Sequence, residues 1–199
     1  MIVALSGAMM PGPLLTINIS ESVRRGAIAG PLLMAGHAIL ELLLVAALML
    51  GLSPLFKNDF FFVFVALAGG MTMFWMAFGM FRSLPTLTVL SSVAVDRKNN
   101  LVVAGALMSL ANPYWIIWWA TIGIGYITRC QKMGFTGVGL FYSGHILGDV
   151  LWYVAISIAI SKGRRLFTDR TYQVIIGCCG AFLVAFAGYL VYSGISKLR

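Results

Sequence analysis

Long apolar runs separated by short polar gaps make up nearly the whole chain. Windows of about 20 apolar residues, the length that spans a bilayer as helix, fall at 2–19, 31–52, 60–81, 101–127, 135–160 and 172–195. The pattern predicts six membrane helices with almost nothing left for a soluble domain. Two of the runs carry proline at membrane depth: Pro11-Gly12-Pro13 in the first and Asn112-Pro113 in the fourth. Proline lacks an amide hydrogen and clashes with the carbonyl four residues back. The breaks are therefore expected to release the carbonyls of Gly7, Met9 and Ser109. In lipid such groups must find partners or line a wet cavity.

Each broken run is followed by one carrying a histidine and an acid: Gly36-His37-Ala38-Ile39-Leu40-Glu41 and Gly144-His145-Ile146-Leu147-Gly148-Asp149. An i, i+4 spacing puts each pair on one helix face, one turn apart. The landmarks recur in order, with Pro11 and Pro113 offset by 102, His37 and His145 by 108, and Gly79 and Gly194 by 115. The drift is what longer connections in the second half would produce. Three spans per half is an odd number, so the halves enter the membrane from opposite sides. That is an inverted repeat, which places a binding site near the midplane between its halves. The expected boundaries are repeat one 1–82, linker 83–100 and repeat two 101–199, all one transporter domain.

Composition agrees: 60% of residues are hydrophobic and 10% charged, against about 25% charged in ordinary globular domains. Cytoplasmic loops hold the excess of Lys and Arg. Arg24, Arg25, Arg82, Arg97, Lys98, Lys162, Arg164, Arg165 and Arg170 fall in loops one, three and five, and Lys57, Arg129, Lys132, Lys197 and Arg199 on the other side. Both termini are thus expected outside a multi-pass protein of the cytoplasmic membrane. Met1–Ile19 lacks a basic leader and a small-x-small cleavage site, and reads as a retained first helix. The net charge of +8 is scattered over short loops without the basic stripe that nucleic acid needs; attraction to anionic lipid explains it. Cys130, Cys178 and Cys179 form no C-x-x-C pair and read as packing residues.

Ionisable side chains at bilayer depth cost roughly 2.5 to 3.5 kcal/mol each on insertion scales and mark substrate or ion paths. His37, Glu41, His145 and Asp149 are the candidates for coupling, with each pair able to share a proton or a cation. A neutral pair that glues helices is the structural alternative, and two His with two carboxylates could also form a four-ligand metal site. The half-helix ends at Pro11, Gly12, Pro13 and Pro113 are candidates for holding a substrate carboxylate, with Asn18 and Asn112 as polar partners. Trp115, Trp118 and Trp119 suit a gate or a face for an ammonium group, or plain packing. Gly69-Gly70, Gly144-x-x-x-Gly148 and Gly177-x-x-Gly180 read as close helix contacts.

Pro11-Gly12-Pro13, Arg24-Arg25-Gly26, Gly36 followed five residues on by Glu41, and Leu110-Ala111-Asn112-Pro113 together resemble the LysE-type exporter family, also called the lysine exporter or homoserine/threonine resistance family. The resemblance covers nearly the whole chain. It implies a six-helix exporter of amino acids or related small solutes, driven by the proton motive force, with Pro11, Gly12, Pro13, Glu41, Asn112 and Pro113 on the family's pattern. Leu14 stands where the family commonly has Asn, Glu41 where it has Asp, and Tyr114 where many members have Lys.

The resulting expectation is an all-α polytopic membrane protein of six helices in two inverted three-helix repeats, with the first and fourth helices broken. It is a secondary transporter and not an enzyme, with no cofactor and no resident metal. Its partners are a small-molecule substrate, protons and membrane lipid, and the architecture is compatible with a homo-oligomer. The rival function is a divalent metal exporter using the same His and carboxylate residues.

Overall fold

The computed structural model describes residues 1–56, 58–88, 100–163 and 168–198. Lys57, Arg97, Lys98, Arg164, Arg165 and Arg199, and most of the expected linker, lie outside the described residues. Within them the regular elements are all helical. The first apolar run forms α1 (Ile2–Ala8) and α2 (Pro13–Arg25), followed by α3 (Ala29–Ala47), the short α4 (Ser53–Phe56) and α5 (Asp59–Ser83). The second half forms α6 (Leu101–Leu110), α7 (Pro113–Trp118), a π-helical stretch Trp119–Gly123, α8 (Ile124–Cys130), α9 (Gly134–Gly163) and α10 (Asp169–Lys197).

Among the described residues, four helical stretches are long and apolar enough to cross a membrane: Pro13–Gly51, Asp59–Thr86, Pro113–Gly163 and Asp169–Lys197. The first and third have 39 and 51 residues, which at 1.5 Å per residue is about twice the roughly 30 Å hydrocarbon layer. Both are broken by a glycine. Gly26 ends α2 at φ 79°, ψ −160°, and Gly134 opens α9 at φ 67°, ψ −158°. A side chain at positive φ is strained, so glycine is the residue that fits.

Local chemistry fixes the helix starts. Asn58 accepts the amides of Phe60 and Phe61, Asn100 that of Val102, Asn112 that of Tyr114, and Thr168 that of Thr171, each satisfying donors with no partner inside the helix. Pro13 and Pro113 occupy the first helical position, where the missing N–H costs nothing. The breaks are present, but two of the three carbonyls expected to be free, those of Gly7 and Ser109, are bonded. Gly7 O accepts from the Met10 amide at 3.3 Å and Ser109 O from the Asn112 amide at 3.1 Å. A tight turn at each half-helix end takes back what proline released.

At the centre, α3 packs against α6 and α9, while α9 also holds α1 and α2; α5 and α10 form a long pair to one side, with α7 lying on α5. Glycine permits the closest crossing. A Cβ on Gly36 would lie 1.7 Å from the Val102 carbonyl oxygen, and one on Gly105 2.0 Å from that of Leu33, so α3 and α6 touch backbone to backbone. Gly69 meets Pro113, Gly70 meets Val191, Gly148 meets Ala4 and Gly180 meets Phe81, as the small-residue reading expected; Gly144 and Gly177 have looser neighbours. Cys179 is buried and Cys178 exposed, so only the former packs inside. Trp75 faces outward.

Arg24 and Arg25 correct the loop assignment. They end α2, where both pair with the buried Glu21, Arg25 Nε at 2.6 Å from its Oε2. Cations at a helix C-terminus also suit its dipole.

Candidate functional site

The two repeated His–acid pairs meet. His37 and Glu41 on α3 and His145 and Asp149 on α9 are all buried, and each imidazole approaches both acids. His37 Nε2 lies 3.2 Å from Glu41 Oε1 and 3.4 Å from Asp149 Oδ2; His145 Nε2 lies 3.0 Å from Glu41 Oε2 and 3.4 Å from Asp149 Oδ2. The i, i+4 spacing aligns each pair along its own helix, and the crossing of α3 with α9 brings the two lines face to face.

The broken fourth run supplies the groups that hold this cluster. Ser109, at the end of α6, donates its hydroxyl to the Gly105 carbonyl at 2.7 Å. Its oxygen can then accept from His37 Nδ1, also at 2.7 Å, while Nε2 faces the acids and donates to them only when it too carries a proton. Beyond the break, Trp115 and Trp119 donate their indole N–H groups to Glu41 Oε1 at 2.8 and 2.9 Å. One helical turn separates the two indoles, so both reach the same oxygen. Trp118 points elsewhere: its ring stacks on His145 at 4.7 Å and its N–H meets Ser6 Oγ at 3.1 Å. Gly123 makes room for this arrangement, since a Cβ there would sit 2.4 Å from the Trp119 ring.

A cavity of about 40 Å³ opens beside the cluster, room for about three waters at roughly 10–15 Å³ each. Its wall includes all four ionisable residues, Ser109, Asn112, Tyr114, Trp115, Trp118 and Tyr153, with Gly7, Ala8 and Leu14 from the first break. Gly12 faces the other break directly: a Cβ on it would lie 3.2 Å from Asn112 Nδ2. Pro11, Pro13 and Pro113 shape the backbone without lining the space, and Pro113 is buried against Gly69. Asn18 is elsewhere. It donates to the Tyr153 carbonyl at 3.1 Å and accepts from Ser157 at 2.8 Å, tying α2 to α9 away from the cavity.

The sequence points to Ser109 only through its carbonyl and to Tyr114 only as a departure from the family's Lys, gives no sign of Tyr153, and leaves the tryptophans between gate and packing. The available signals were the Trp115-x-x-x-Trp119 spacing and a lone hydroxyl at the end of an apolar helix.

One ligand atom each from His37, Glu41 and Asp149 lies within 4.8 Å of the others, a spacing a cation could bridge. Yet two indole N–H groups occupy Glu41 Oε1, and Oε2 faces His145. Oε1 is thus committed to two donors, and Oε2, buried and without a hydrogen bond among the described residues, is the oxygen of Glu41 left for a cation. Two carboxylates facing two imidazoles balance in charge only when both rings are cationic. With one ring neutral, the site has room for one external positive charge.

No solved structure matches the chain. A curated relative, named "Putative amino acid efflux protein YcgF", of Bacillus subtilis (strain 168), is 22% identical over 199 residues, covering 99% of this chain and 95% of the relative. The LysE type translocator profile matches residues 5–194, from α1 to the last turns of α10. The chain therefore belongs to the LysE type translocator family, as a multi-pass membrane protein built of apolar helices.

Proposed function

We propose that this protein exports amino acids or related small ammonium-bearing solutes across the cytoplasmic membrane, driven by the proton motive force. The observation that carries the reading is the buried four-residue cluster, in which two carboxylates and two imidazoles face a small aromatic-walled cavity at the meeting point of two helix breaks. Family membership and the name of the curated relative point the same way.

The proposed architecture is six spans in two inverted triplets, 1–82 and 101–199, joined by 83–100, with both termini outside. Three features support it. Gly26 and Gly134 are 108 residues apart, the same offset as His37 and His145, and share nearly the same unusual backbone angles. The pairing of α3 with α6 has its counterpart in that of α9 with α1. The α3 and α9 helices cross at the cluster itself.

In the proposed cycle a substrate displaces water from the cavity and its ammonium group replaces a proton among the acids. Asn112 and the free amides at the start of α2 face its carboxylate. Proton entry from outside then releases it. One charge crossing about 100 mV is worth roughly 2.3 kcal/mol, near a fiftyfold concentration ratio. Transport of this kind has no covalent step, and anionic lipid surrounds the basic loops.

The test is an efflux screen of cells preloaded with the proteinogenic amino acids or with divalent cations, with and without an uncoupler. Uncoupler-sensitive export of at least one amino acid is expected. Export of divalent cations alone, or of no amino acid above background, overturns the reading.

A further inference from the structure

Sequence repetition makes the two His–acid pairs look equivalent, and their surroundings are not. The α3 pair is held from the second break: His37 by Ser109, Glu41 by Trp115 and Trp119. The α9 pair has no such support. Among the described residues His145 Nδ1 has no hydrogen-bond partner although the residue is 4% exposed. The polar contacts of Asp149 are the two imidazoles at 3.4 Å, beyond the usual hydrogen-bond range. The chain itself explains the difference. The offset of 102 between the breaks places Gly7, Pro13 and Ile17 opposite Ser109, Trp115 and Trp119, and none of the three has a side-chain donor.

We propose that the pairs have divided their labour: His37 and Glu41 form a fixed anionic anchor, and Asp149 with His145 is the movable part that takes the ammonium group of the cargo. Ser109, Trp115 and Trp119 are positioning residues for the anchor. The proposal rests on the exporter reading for its cargo, while the asymmetry stands on geometry alone. Glu41 Oε1 already accepts two N–H bonds that hold the carboxylate in place, so an incoming donor finds only Oε2, which has no hydrogen bond among the described residues and lies 3.0 Å from His145 Nε2. Asp149 can turn to an incoming ammonium by giving up two long contacts. Trp118, stacked on His145, offers that ammonium an aromatic face beside the movable pair. The titratable groups that face Asp149 around the cavity are His37 and Glu41 from α3, His145 and Tyr153 from α9, and Tyr114 from α7; among the described residues no Lys or Arg lines it, so only the two imidazoles compete for the acid.

The test needs no knowledge of the natural cargo. Full-length protein in liposomes is treated with diethyl pyrocarbonate, which acylates unprotonated imidazole nitrogen, and the His37 and His145 peptides are followed by mass spectrometry. His145 should react at least about tenfold faster, the factor equivalent to roughly 1.4 kcal/mol. Ser109→Ala should speed His37 several-fold, and Ser109→Thr, which keeps the hydroxyl, should leave it slow. Equal rates in the parent protein, or a His37 rate indifferent to Ser109→Ala, overturn the asymmetry whether or not any amino acid is exported.

The second arm measures binding of radiolabelled methylammonium, whose size suits the cavity. Asp149→Asn should weaken it about tenfold or more, with partial recovery in Asp149→Glu, while Asn18→Ala, outside the cavity wall, should leave it within about threefold. No binding to the parent protein, or a loss in Asn18→Ala as large as in Asp149→Asn, removes the ammonium role. Failure of the exporter reading would show instead as intact methylammonium binding without efflux of any amino acid.

Discussion

Replacing each acid by its amide should have unequal costs to stability, and the geometry sets the size of the difference. In Glu41→Gln the amide oxygen can still accept from Trp115 and Trp119. Each of those bonds falls from a charged to a neutral acceptor, from about 1.5–3 to about 0.5–1.5 kcal/mol, a loss of roughly 2–3 kcal/mol for the pair. The new amide N–H₂ points at His145 Nε2, 3.0 Å from the present Oε2. To accept, that ring must move its proton to Nδ1, which has no partner, at about 1–3 kcal/mol for an unsatisfied buried donor. The sum is about 3–6 kcal/mol. In Asp149→Asn two contacts of 3.4 Å are weakened, worth about 1 kcal/mol together. At roughly 2–4 °C per kcal/mol for a chain of this size, Glu41→Gln should lower Tm by about 6–24 °C and Asp149→Asn by about 2–4 °C. Thermal unfolding in detergent, followed by circular dichroism, measures both, and the emission of Trp115 and Trp119 should shift in the first variant. A Tm for Asp149→Asn as low as that of Glu41→Gln, or an unaltered Tm for Glu41→Gln, would refute the reasoning.

Three further outcomes are expected. Gly105→Ala drives a methyl into the Leu33 carbonyl, 2.0 Å away; forcing α3 and α6 apart should cost about 1–3 kcal/mol or more, read as a lower Tm and faster acylation of His37. Asn18→Ala leaves the Tyr153 carbonyl and the Ser157 hydroxyl short of a partner, so it should destabilise by about 1–3 kcal/mol while methylammonium binding by the folded protein stays unchanged. Cysteine placed at Lys162 should be labelled from the cytoplasm and cysteine placed at Lys132 from outside; the reverse pattern would overturn the proposed orientation.

Much of the site was legible because its signals are local. A histidine and an acid four apart in an apolar run must share a helix face, and proline must break a helix wherever it falls inside one. Both statements hold here at His37, Glu41, His145, Asp149, Pro11 and Pro113. What the breaks do with their carbonyls was not legible, because a single tight turn at Met10 or Asn112 depends on backbone angles that composition does not fix. Asn18 shows another limit: a buried amide in an apolar run gives the same signal whether it meets a ligand or, as here, ties two helices together. Arg24 and Arg25 were placed in a loop because charge ordinarily ends a span, and the buried Glu21 that receives them lies one turn back. The inequality of the two pairs was hidden most deeply. It depends on the α3–α6 crossing that Gly36 and Gly105 permit, and that contact joins residues far apart in sequence.

Gly123 extends the consequences of the site beyond its walls. It touches neither the cavity nor any of the four ionisable groups, and its role is to leave space for the ring of Trp119 one turn earlier. Any side chain there evicts that indole and leaves Glu41 one donor short. A mutational survey scored by transport would therefore record this glycine as intolerant alongside the acids, though no probe of ligand contact would report it. Redesign of the cavity has the same boundary: changing what the pocket accepts while keeping Glu41 in place requires treating Gly123 and Trp119 as one unit.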